Sequence, residues 1–123
     1  MNSMWIFCNP NPCHVLVGDC VVRACTIQLS SDWHKVHKEL CELSNAECNM
    51  PSANVVWGKF LENKGLSCYE PRFPITIRQF CREHPRGCYT IGTGSHAVTV
   101  IDGDWYDIWD SGDEFVSYFF ERS

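Results

Sequence analysis

The chain predicts an α+β domain, with helices first and an antiparallel sheet after them. Three observations carry this. Apolar residues recur at helical spacing in the segments between Cys20 and about His84. From Cys88 onward the segments are short and rich in β-branched and aromatic residues. Asp102-Gly103 stands between two of these as a strong hairpin signal. At 123 residues the chain is a single domain, residues 1–123, long enough to bury roughly two-thirds of its unfolded surface.

The elements follow in order. Trp5 to Cys8 is a short apolar run suited to an edge strand, and Asn9-Pro10-Asn11-Pro12 is a rigid loop that cannot be helical. Gly18-Asp19 forms a turn and N-cap, after which apolar residues are nearly continuous from Cys20 to about Leu29, as in a helix buried on most sides. Ser31-Asp32 caps a second helix with Trp33, Val36, His37, Leu40, Cys41 and Leu43 on one face, ending near Asn45. A third helix runs from about Asn54 to Lys64 and stops at Gly65. Leu66 to Tyr69 is a short strand, and Pro71 and Pro74 interrupt the chain. Thr76 then caps a fourth helix that ends near His84-Pro85. The strands of the last third are Cys88 to Ile91, His96 to Ile101, Trp105 to Trp109 and Val116 to Phe120.

Composition excludes several classes of function. Ten basic against fifteen acidic residues, with no Lys/Arg stripe, argue against a nucleic-acid binder. The apolar runs are too short for a transmembrane span, so no membrane partner is expected. The N-terminal residues lack the basic region and the long apolar stretch of a secretory signal. Nine cysteines, an odd number of which several fall on apolar helix stripes, fit reduced thiols in the cytoplasm better than a disulfide framework.

One of those cysteines has a distinctive setting. Cys20 lies in the first turn of a helix, where unsatisfied N–H groups and partial positive charge favour a thiolate. Downstream, His96 opens one strand and Asp110 lies at the close of the next, which supplies a proton acceptor and an orienting carboxylate. A three-residue loop Ile101-Asp102-Gly103 would put His96 and Asp110 on one face of the hairpin, a diagonal step apart. A two-residue Asp102-Gly103 turn would instead bring Asp107 to that face.

The order of these motifs resembles the papain-like cysteine peptidase superfamily. The matching residues are Gly18-Asp19-Cys20-Val21-Val22-Arg23-Ala24, Ser95-His96-Ala97-Val98-Thr99-Val100 and Tyr106-Asp107-Ile108-Trp109-Asp110-Ser111. The helix around Thr76-Ile77-Arg78-Gln79-Phe80 and the strand Cys88 to Ile91 sit where bacteriocin-processing relatives carry theirs. The chain is also similar to short uncharacterised proteins of phages and Firmicutes with an Asn-Pro loop before Gly-Asp-Cys and a Trp-Asp-Ser-Gly-Asp tail.

The resemblance implies a papain-like fold, with the nucleophile on a central helix packed on a C-terminal antiparallel sheet. It implies a thiol hydrolase that cleaves a peptide, isopeptide or side-chain amide bond of a peptide or protein substrate, without a cofactor. Cys20 would attack, His96 would protonate the leaving amine, and Asp110 would orient His96. Where family members often carry a glutamine before the nucleophile, this chain has His14, so Asn11 and Asn9 join His14 as oxyanion-hole candidates beside the Cys20 N–H. A non-catalytic interaction module of phage or mobile-element origin, or an acyl transferase or deamidase, would use the same layout.

Competing assignments are weaker. Cys81-x2-His84-x3-Cys88, with Cys13-His14 elsewhere, could be imagined as a metal set, yet Cys81 fits the apolar stripe of its helix, and no metal is expected. His34 and His37 are expected at a helix surface. Trp33 and Trp57 fit core packing, whereas Trp105 and Trp109 flank the candidate site.

Overall fold

The computed structural model describes residues 3–122 and has four helices and six strands. These are β1 (Trp5–Phe7), α1 (Cys20–Leu29), α2 (Trp33–Ala46), α3 (Asn54–Asn63), β2 (Leu66–Tyr69), α4 (Ile77–Glu83), β3 (Cys88–Gly92), β4 (Ala97–Ile101), β5 (Asp104–Asp107) and β6 (Tyr118–Arg122). The α+β class expected from the sequence is the observed one. The strands form one sheet in the order β1-β5-β4-β3-β6-β2.

Local chemistry places the helix ends. Asp32 accepts from the Lys35 N–H at the start of α2. Thr76 and Gln79 form a reciprocal capping box on α4. Gly65, at φ +94°, supplies the left-handed turn between α3 and β2. Helix α1 ends with Ser30 in a left-handed conformation, its N–H bonded to Ile27.

The sheet separates two cores. On one face α1, α2 and α3 bury Val22, Ala24, Cys25, Leu40, Trp57 and Leu61 against Ala97 and Phe120. On the other, the short α4 brings Ile77, Phe80 and Cys81 onto Ile91, Val98, Val100 and Trp105. Helix α1 packs on β4 and β3, and polar ties fix its depth. Thr99 donates to the Ala24 carbonyl at 2.7 Å, and Thr90 donates to the Gln28 side chain at 2.8 Å. A buried helix held at fixed height over a sheet is a rigid mount for whatever its first turn carries.

Three details differ from expectation. The sheet is mixed, because β1 runs parallel to β5, with Trp5 opposite Trp105 and Phe7 opposite Asp107. Residues 116 and 117 bond to Ile75 and Gly92 through their N–H groups, so β6 begins later, at Tyr118. The hairpin turn has two residues. Asp102 at φ +48° and Gly103 at φ +82° form it, and Ile101 pairs with Asp104 and Val100 with Trp105. Left-handed conformations at both turn positions match the twist of the flanking strands. The Asp102 side chain fixes the turn by accepting from the Gly87 N–H at 2.9 Å.

Candidate active site

The two-residue turn decides which carboxylate meets His96. Continuing the register from Thr99 opposite Tyr106 sets Val98 across from Asp107. Asp107 therefore shares a face with His96, one diagonal step away. The His96 Nε2 lies 2.6 Å from Asp107 Oδ2. Asp110 projects elsewhere: its Oδ1 accepts from the Trp105 indole and from the Gly112 N–H, each at 3.0 Å, and its Oδ2 lies 3.8 Å from Arg78. The expected His96–Asp110 pairing is not formed, because a loop one residue shorter reverses the face parity of β5.

Cys20 opens α1 as expected, and it shares a cleft with His96, whose ring and the neighbouring Ala97 N–H act on its thiol. With Nε2 engaged by Asp107, the ring nitrogen left for the thiol is Nδ1. Burial pushes the Cys20 thiol up, but the His96 bond, the Ala97 N–H and the charges of His96 and Arg23 outweigh it, and the thiol ends below its ordinary range. For His96, burial disfavours the charged ring, yet the bonds and charges of Asp107 and Cys20 raise it to about 9. Both shifts favour a thiolate–imidazolium pair.

Behind this pair lies a buried polar network that the sequence reading missed. Asp107 is 2% exposed and also accepts from Ser111 Oγ at 2.7 Å and from the Ile108 N–H at 2.8 Å. The Arg23 guanidinium, buried in α1 one turn after Cys20, sits 3.6 Å from Asp107 Oδ1. It pairs with Asp19 on the preceding turn and donates to the Val17 carbonyl at 3.2 Å. Asp19 accepts further from the Trp33 indole at 2.9 Å. The signal was present: one arginine stands in an otherwise apolar helix stretch, and a buried cation requires buried carboxylates beside it.

The oxyanion-hole candidates serve as scaffolding. Asn11 is 5% exposed and donates to Asp19 Oδ2 at 3.3 Å while accepting from the Cys13 N–H at 2.9 Å. Asn9 accepts from the Asn11 N–H and donates to the Val15 carbonyl, both at 3.2 Å. His14 is exposed in a left-handed turn at φ +56°. None of the three lines the cleft over Cys20. What the cleft offers an oxyanion is the first turn of α1, whose N–H groups have no side-chain cap.

That cleft has a volume of about 520 Å³. Cys20, Arg23 and His96 form its reactive end, with Trp57, Asn54 and Trp109 among its walls. Trp57 is also a core residue, as expected, whereas Trp109 is 43% exposed with its ring 5.0 Å from that of His96. Asn54 fixes the opposite rim by donating to the Gly94 carbonyl at 3.3 Å and accepting from the Trp57 indole at 3.1 Å.

Cys81 is fully buried, and His84 stacks on Phe80 with centroids 3.9 Å apart. Among the described residues no group of three or more His, Cys, Asp or Glu is placed to hold a metal ion. His37 stacks on Trp33 at the helix surface, at 4.7 Å. No helix among the described residues is long and apolar enough to cross a membrane.

The arrangement defines, by geometry alone, a nucleophile–base–carboxylate constellation: a thiol on a helix start, a histidine before one strand and an aspartate ending the next. No protein-family model matches the chain, and neither a curated protein nor a solved structure matches it.

Proposed function

We propose that the protein is a papain-like cysteine peptidase-type thiol hydrolase, cleaving a peptide, isopeptide or side-chain amide bond of a peptide or protein substrate. The observation that carries this reading is the His96–Asp107 bond at the end of a cleft that His96 lines together with Cys20. The Cys20 thiolate attacks the amide carbonyl. Charge developing on the carbonyl oxygen falls at the N-terminus of α1, whose first turn has no side-chain cap. The His96 imidazolium gives its proton to the leaving amine, and the neutral ring then takes a proton from the water that releases the acyl-enzyme. Asp107 holds Nε2 and stabilises the imidazolium throughout. The reading assigns the protein to a reducing, cytoplasmic compartment in which its nine thiols remain free.

Alkylation with stoichiometric iodoacetamide at about pH 6, mapped by peptide mass spectrometry, tests it, because at that pH an ordinary thiol is almost wholly protonated. Cys20 is expected to react first, ahead of the more exposed Cys13, Cys48 and Cys68. Cys20→Ala is expected to abolish the early phase. Labelling without preference, or preference for another cysteine, overturns the reading. Amines added with an activated ester substrate then separate hydrolysis from acyl transfer.

A further inference from the structure

The face of the sheet that carries α4 holds a second cleft of about 520 Å³, as large as the one over Cys20 and sharing no residue with it. Its apolar surface is aromatic. The rings of Tyr69 and Phe119 lie 5.8 Å apart, and Phe73 stands beside them 75% exposed. The seven-residue α4 is too short to cover this part of the sheet.

The rim is acidic. Glu70, Glu83 and Glu121 line the cleft against a single cation, Arg72. The surface ion pairs among the described residues, Lys59–Glu47, Lys64–Glu39, Arg78–Asp110 and Arg78–Asp113, engage none of these three carboxylates. The shape is held in advance. Pro71 and Pro74 restrict the loop that forms one wall, and the Val116 N–H bonds the Ile75 carbonyl at 2.9 Å to pin its end.

An aromatic floor attracts cations through its ring faces, and free carboxylates at the rim add charge complementarity. The same floor and rim disfavour an anionic ligand. We infer that this cleft is a binding site for a peptide segment that presents an arginine or lysine next to an apolar side chain. The cation meets Glu83 and Glu121 while its neighbour covers Phe73 and Tyr69. The inference stands on these residues alone and is independent of chemistry at Cys20.

Titration of the isotopically labelled protein with N-acetyl-Phe-Arg amide, followed by NMR, tests it. Shifts are expected to centre on residues 69–75, Glu83 and Phe119. The double variant Glu83→Gln/Glu121→Gln is expected to weaken binding roughly threefold or more, as the loss of exposed ion pairs would. Phe73→Ser, at an exposed position, is expected to weaken it without disturbing the fold. N-acetyl-Phe-Glu amide is expected not to bind. Equal binding of the two dipeptides, indifference to the glutamine substitutions, shifts confined to the Cys20 cleft, or no shifts at millimolar concentration would each overturn the inference.

Discussion

Asp107 is the residue on which the site turns, because its carboxylate gathers His96, Ser111, the Ile108 N–H and the Arg23 guanidinium in one buried place. Asp107→Asn removes the negative charge that holds the imidazolium. The pH at which Cys20 labelling rises should then move upward by about one unit or more. Asp110→Asn should leave that profile in place, since an amide oxygen can still accept from the Trp105 indole. The opposite ranking in an iodoacetamide pH series would return the orienting role to Asp110. Arg23→Gln leaves Asp19 and Asp107 buried without their cation, and breaking such a pair costs about 3–5 kcal/mol. Arg23→Lys restores the charge without the guanidinium fork. It should recover the low-pH labelling of Cys20 more fully than the denaturation midpoint, whereas equal recovery of both would reduce Arg23 to packing. Cys20 and His96 were legible from position alone, one at a helix start and the other before a strand. The choice of aspartate was not, because it hangs on a single residue of loop length, and one residue reverses the face of every side chain beyond it.

At the scale of elements, most of the architecture is written in local chemistry. Helical spacing from Trp33 to Leu43, the Thr76 cap and the Asp102-Gly103 turn each specify their element without help from distant residues. What local pattern leaves out is pairing. Three residues of β1 carry no information on partner or direction, and they dock parallel to a strand about a hundred positions away, where the Trp105 N–H reaches Met4 and the Cys8 N–H reaches Asp107. Nor does the apolar run from Val116 announce that its first residues bond to Ile75 and Gly92 before β6 begins. Gly92 shows how such a junction constrains sequence. A Cβ there would lie 2.4 Å from the Tyr118 ring, which is itself held by Trp57 and Phe120. Gly92→Ala should therefore cost about 1–3 kcal/mol as overpacking. Gly18, with nothing within 4 Å of a built Cβ, gives the contrast. Gly18→Ala should change stability by less than about 1 kcal/mol. Urea denaturation of the two variants side by side checks the pair, and similar losses in both would remove the steric explanation.

Across the whole molecule, the groups that make the site reactive also set how its stability depends on pH. His96 binds its proton more tightly in the native state, at about 9 against an ordinary 6.5. A raised native value contributes stability that is complete below about pH 6.5 and is lost as pH climbs through 9. The side chain is only 10% exposed, so little of this contribution is screened. Cys20, lowered by the same contact, works in the other direction and offsets that loss between its lowered value and the ordinary thiol range. Buried thiols extend the decline further. Burial raises Cys81 to about 12 and Cys25 higher still, so unfolding releases their protons and is favoured as pH passes the ordinary thiol range. Guanidinium denaturation at about pH 6, 7.5 and 9 under reducing conditions should give a native midpoint that changes little up to about pH 7.5, where the Cys20 gain offsets the His96 loss, and falls toward pH 9 as the buried thiols favour unfolding. His96→Gln should be less stable at pH 6 and nearly flat between pH 6 and 8, with the thiol-driven fall retained above that. A His96 ring that titrates at or below about 6.5 by NMR would mean that His96 gains no proton affinity on folding. The thiolate–imidazolium pair, and the hydrolase reading built on it, would fall with that result.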